Sequence, residues 1–107
     1  MICTTQASKG FSAIGSDARL KVLRSLVRAG PSGLSVGEIR NRLDIPASTL
    51  AHHLRALADG GLIDQQKCGR TVINRANYDH IHELVNYLLE ECCIDEPDTV
   101  ATCLPNE

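Results

Sequence analysis

The sequence predicts a mostly α-helical domain carrying one β-hairpin, and three observations support that reading. Apolar residues recur at three- and four-residue spacing in successive stretches, the pattern of helices with one buried face. Glycine and proline separate those stretches at Gly30-Pro31, Pro46 and Gly60-Gly61. The period then changes over residues 62–75, where two β-prone runs flank a glycine-containing tip at Cys68-Gly69. At 107 residues, 43% of them apolar and only Phe11, Tyr78 and Tyr87 aromatic, the chain is sized for one compact domain. A two-domain enzyme is disfavoured on length alone.

Phe11, Ala13 and Ile14 predict a short first helix. Ser16 is placed to cap a second, in which Leu20, Leu23, Leu26 and Val27 share a face; Gly30-Pro31 ends it, because proline cannot continue the hydrogen-bond ladder. Ser35-Val36-Gly37-Glu38 forms a capping box, with hydroxyl and carboxylate each satisfying a free backbone N–H, and Ile39 and Leu43 then point inward. Asp44-Ile45-Pro46 forces a sharp turn, since proline biases the residue before it away from helical geometry. A fourth helix runs through Leu50, Leu54 and Leu57 to Gly60-Gly61. After the hairpin, residues 78–92 predict a long amphipathic helix with Ile81, Leu84, Val85, Leu88 and Cys92 on one stripe that Leu89 widens.

Two short helices joined by a turn of three residues, the second polar opposite its leucines, make a helix-turn-helix pattern. Its outward positions are Ser48, Thr49, His52, His53 and Arg55, compact hydrogen-bonding groups beside a cation, suited to base edges and phosphates. A hairpin directly after such a pair reads as a wing, and Lys67 and Arg70 flank its tip. The expected fold is therefore a mostly α, winged helix-turn-helix with a two-stranded wing and a C-terminal dimerisation helix.

Charge fits this division. The formal net charge is only −2, yet residues 16–76 carry ten basic against five acidic side chains, while residues 77–107 carry eight acidic groups and no lysine or arginine. The middle of the chain can face phosphate and the C-terminal part cannot. A solvated helical surface followed by a soluble acidic tail is the plainer alternative. The stripe on the last helix exceeds what so small a core needs, so Ile81, Leu84, Val85 and Leu88 are expected to join two copies into a symmetric homodimer. Such a dimer would present two reading helices to the half-sites of an inverted repeat in double-stranded operator DNA. The start MICTTQASKG lacks a secretory pattern and no apolar run approaches the roughly 18 residues a membrane span requires, so a cytoplasmic protein without a membrane partner is expected.

The stretch SDARLKVLRSLVRAGPSGLSVGEIRNRLDIPASTLAHHLRALADGGLI, with the hairpin and terminal helix after it, resembles the ArsR/SmtB family of bacterial metal-responsive repressors. The resemblance covers residues 8–93, taken as the DNA-binding and dimerisation domain, and leaves 94–107 as an acidic tail carrying Cys103. It implies a homodimeric repressor that leaves its operator when a metal or metalloid binds. The arsenical-resistance branch carries a cysteine pair in the helix before the reading helix; here Leu34-Ser35-Val36-Gly37-Glu38-Ile39-Arg40 has none. The zinc-sensing positions of the terminal helix fall on Tyr78, His80, Glu91 and Ile94, so two of four ligands are missing. A shifted zinc or cadmium site would have to draw on His80, His82, Glu91 or Cys93.

What remains is Cys92-Cys93 with Cys103, and some members that resemble this chain sense trivalent arsenic at such a terminal cysteine pair. Thiolates suit a soft ion, and As(III) or Sb(III) is saturated by three sulfurs, whereas tetrahedral zinc wants a fourth ligand. Adjacent helical residues diverge by about 100°, so Cys92 and Cys93 can share an ion only where the helix ends. Drawing the tail onto that end would be the switch, with As(III) or Sb(III) as inducer and no catalytic cofactor. A thiol redox or persulfide sensor using Cys93 and Cys103 is the alternative on the same scaffold, although nearby carboxylates raise a thiol pKa. Cys3, on a terminus expected to be disordered, and Cys68, at the wing tip, are read as bystanders. No phosphate-cradling glycine loop, nucleophile elbow or arsenate-reductase-type loop is present, which excludes those enzyme classes.

Overall fold

The computed structural model describes residues 1–96. Its elements are α1 (Thr4–Ala13), α2 (Asp17–Ala29), a single 3₁₀ turn (Gly30–Ser32), β1 (Leu34–Ser35), α3 (Val36–Leu43), α4 (Ala47–Asp59), β2 (Ile63–Cys68), β3 (Thr71–Ala76) and α5 (Tyr78–Leu89). Among the described residues no helix is long and apolar enough to cross a membrane.

Local signals set most boundaries. The Ser16 hydroxyl accepts from the Arg19 N–H at 3.1 Å and starts α2. The Ser35 hydroxyl accepts from Glu38 N–H at 3.2 Å while Ser35 N–H donates to the Glu38 carboxylate at 2.8 Å, closing the expected capping box. Asp44, in the left-handed region at φ 51°, ends α3, and Pro46 leads into α4 after a turn of residues 44–46. The inner leucines of α4, Leu50, Leu54 and Leu57, are buried with Val22 and Leu26 of α2 and Ile39 of α3.

The wing is broader than its two expected strands. β1 pairs with β3 through Leu34 opposite Asn74 and Ser35 opposite Ile73, giving an antiparallel three-stranded sheet in the order β1-β3-β2. A two-residue strand has no sequence period, and only the partner strand defines it. The first helix is also longer than Phe11, Ala13 and Ile14 suggested, because its N-terminal half is held by α5 through a Thr4 to Tyr87 hydroxyl hydrogen bond.

Gly10 sets how closely α1 approaches α5. A Cβ there would stand 2.8 Å from a Leu84 methyl, and Leu84 is only 2% exposed. Leu84 therefore belongs to the core of its own chain, which corrects its expected place on a dimer face.

Gly33 has φ +69°, and a Cβ at that position would fall 2.5 Å from the Asn74 carbonyl oxygen. Gly33→Ala should lower the unfolding free energy by about 2 kcal/mol or more, because both backbone conformation and contact oppose a side chain. Urea unfolding measures this, and an unchanged midpoint contradicts the packing.

Candidate nucleic-acid interface and thiol site

With Leu50, Leu54 and Leu57 turned inward, α4 presents Ser48, Thr49, His52 and Arg55 to solvent, all exposed. No side chain caps the N-terminus of α4, where Pro46 stands, so its first-turn N–H groups are unclaimed by a cap. The wing tip holds Lys67 and Arg70, both exposed. A groove of ≈ 350 Å³ separates helix and wing, lined among others by Leu54, Arg55, Gln65 and Val72. Hydrogen-bonding groups on a helix with cations on an adjacent hairpin can engage base edges and phosphates together.

Two residues depart from the expected surface. His53 is half-buried, and its Nδ1 accepts from Arg19 Nε at 3.4 Å, so it faces α2 and not solvent. Partners 34 positions apart leave no local signal, and the sequence periodicity placed His53 with its exposed neighbour His52. Arg75, counted above among the cations able to face phosphate, is engaged by the Pro31 carbonyl at 2.8 Å and by Gln66 Oε1 at 2.6 Å. Sequence reasoning also passed over Asn74, which is fully buried on β3. Its signal was available, because Asn74 alternates with Val72 and Ala76 on the inner face of the strand.

The end of α5 carries the thiols. On this helix Ile81 is half-buried and packs on the core, while Val85, Leu88 and Leu89 are 50%, 66% and 53% exposed. The helix stops at Leu89, short of the expected residue 92, and residues 90–95 form turns in which Cys93 adopts φ 67°. That break overcomes the divergence of adjacent helical side chains: the Cys92 and Cys93 sulfurs lie 3.1 Å apart. Cys93 is disulfide-bonded in this state. Cys103 lies outside the described residues.

Cys3, expected on a disordered terminus, instead caps α1. Its N–H donates to Gln6 Oε1 at 3.0 Å, and the Met1 amine lies 3.6 Å from a Glu83 carboxylate oxygen on α5. Cys68 is exposed at the wing tip. Of the positions considered for zinc or cadmium, Tyr78 donates to the Val27 carbonyl at 3.3 Å, His80 Nδ1 lies 3.2 Å from Glu83, and His82 and Glu91 are exposed. Among the described residues no group of three or more His, Cys, Asp or Glu side chains is placed to hold a metal ion.

Burial lowers the His53 pKa, and the positive charge of Arg19 and proximity of His52 lower it further. A folded value below the unfolded one means this group's stabilisation is complete above the unfolded value and lost as pH falls through the folded one. His53 should titrate below the ordinary value of about 6.5 in an NMR titration. A midpoint at or above that value contradicts the half-buried placement of His53 beside Arg19.

The profile of a family described as a helix-turn-helix domain matches residues 14–66. The cadmium resistance transcriptional regulatory protein CadC homolog of Staphylococcus aureus is 31% identical over 78 residues, covering 73% of this chain and 63% of the relative. The chain thus spans less than two thirds of that relative's length. The transcriptional activator HlyU of Vibrio cholerae is 30% identical over 83 residues, 78% of this chain and 74% of the relative. A crystal structure of an ArsR family transcriptional regulator superposes with TM-score 0.75 at 26% identity, covering 92% of this chain and 98% of its own. Element order, winged helix-turn-helix geometry and these likenesses agree, and the chain belongs to the ArsR family of winged helix-turn-helix transcriptional regulators.

Proposed function

We propose that this chain is a homodimeric repressor of an arsenical-resistance operon. It binds inverted-repeat operator DNA through Ser48, Thr49, His52 and Arg55 of α4 and through Lys67 and Arg70 of the wing. As(III) or Sb(III), captured by Cys92, Cys93 and Cys103 in their reduced state, releases it. The observation that carries the effector reading is the approach of the Cys92 and Cys93 sulfurs to 3.1 Å where α5 ends. Two cysteine sulfurs in contact at a turn amid Glu90, Glu91 and Asp95 suit, once both are reduced to thiols, a thiophilic trivalent ion, and a third thiolate saturates it. The exposed Val85, Leu88 and Leu89 on the same helix supply an apolar face for the second copy.

One observation favours a second reading. Cys93 in a disulfide is the state a thiol redox sensor occupies after oxidation, and the same residues would then respond to oxidant or persulfide. The S. aureus relative is named for cadmium resistance, which places cadmium among the ions to be tested.

Titrating the reduced dimer on its upstream DNA with arsenite, antimonite, cadmium, zinc and peroxide separates these readings. Arsenite and antimonite should release native protein. Cys92→Ser with Cys93→Ser should still bind DNA but hold it through at least a tenfold higher arsenite concentration, and Cys103→Ser should shift release upward. Release of the doubly substituted protein at unchanged arsenite overturns the three-thiolate site, and release by peroxide alone establishes the redox reading in its place.

A further inference from the structure

We infer that Asn74 and Arg75 are positioning residues that fix where the wing tip meets DNA, by tying β2 through β3 to the segment entering α3. The inference rests on the reading that the wing touches DNA. Asn74 stands opposite both Leu34 of β1 and Gln65 of β2 in register. Its buried carboxamide accepts from Gln65 Nε2 at 2.9 Å and donates through Nδ2 to the Leu34 carbonyl at 3.2 Å. Arg75, on the opposite face of β3, donates through Nε to the Pro31 carbonyl at 2.8 Å and through Nη1 to Gln66 Oε1 at 2.6 Å. Two neighbouring side chains thus make two bridges, one on each face of the sheet, each running from β2 to residues 31–34. Gly33 lets that segment lie flush on β3, where a Cβ would stand 2.8 Å from Arg75 Cγ.

The bridges matter because β1 supplies only two residues of backbone pairing, and a two-stranded ribbon alone twists and bends readily. The tip at residues 67–70 lies about 10 Å beyond Gln65, so a bend of about 20° at the base shifts Lys67 and Arg70 by about 3–4 Å, more than a hydrogen bond to phosphate tolerates. A buried carboxamide with both partners satisfied, and a guanidinium spanning two acceptors, remove that bend. Arg75 is then a cation whose geometry, not its charge, serves DNA binding. Lysine keeps the charge but cannot bridge Pro31 and Gln66 in the same fork.

The test measures affinity of the full chain for its upstream DNA against salt concentration in native protein, Lys67→Ala with Arg70→Ala, Arg75→Lys, and the three changes combined. Removing the tip cations should reduce the slope of log affinity against log salt by about 1.8, the equivalent of two phosphate contacts. Arg75→Lys should reproduce at least half of that loss with an unchanged unfolding midpoint, and adding the tip substitutions to it should change little more. Gln65→Leu, which breaks the other bridge and leaves every cation in place, should flatten the slope likewise. A native slope in Arg75→Lys, or losses that simply add, overturns the inference. An unchanged slope without the tip cations overturns it too, while leaving binding by α4 intact. No DNA binding by the native chain removes the proposed function itself.

Discussion

The seating of Leu84 against Gly10 decides what α5 can do. A leucine withdrawn from water contributes about 1.5–3 kcal/mol, and only a residue without a Cβ lets α1 come near enough to cover this one. Leu84 faces inward, whereas Val85, Leu88 and Leu89, closer to the end of the helix, stay exposed, and the cysteines follow where the helix stops. The Thr4 and Tyr87 hydroxyls and the Met1 amine beside Glu83 hold the same pair of helices at their far end. α5 thus combines a residue packed in the core of its own chain, an exposed apolar surface at Val85, Leu88 and Leu89, and an end that leads into Cys92 and Cys93.

The helix-turn-helix and wing are organised by a different logic. Apolar packing of α2, α3 and α4 places α4, and polar side-chain bonds add to it. Arg19 reaches His53 from α2, Asn74 crosses the buried face of the sheet, and Arg75 crosses the other. Each polar group is partnered at little cost because its partner is fixed, and no buried side-chain nitrogen or oxygen among the described residues lacks one. Cations that look interchangeable in composition thus separate into structural ones, Arg19 and Arg75, and exposed ones, Arg55, Lys67 and Arg70.

That separation marks what the sequence could and could not reveal. The Ser16 cap, the Ser35 and Glu38 box, the Pro46 turn and the hairpin were legible because each is written within a few residues. The leucine stripe of α4 was legible because helical period alone exposes Ser48, Thr49, His52 and Arg55. The short β1, the full length of α1, the inward turn of Leu84 and the Arg19 bond to His53 were not, since each depends on a partner far along the chain. Periodicity identifies a stripe on α5 but not which half of it a neighbouring helix covers. The early end of α5 was half legible: the sequence required a break for Cys92 and Cys93 to converge, and the structure supplies it at Leu89.

In the proposed reading that break is what turns two ordinary cysteines into a ligand pair, and the third sulfur comes from the tail. Coordination at the ion itself is the most direct witness. X-ray absorption at the arsenic edge, on reduced dimer loaded with one arsenite per chain, should show three sulfur neighbours and no oxygen. A shell retaining oxygen, a shell with two sulfurs, or protein that retains no arsenic contradicts the three-thiolate site.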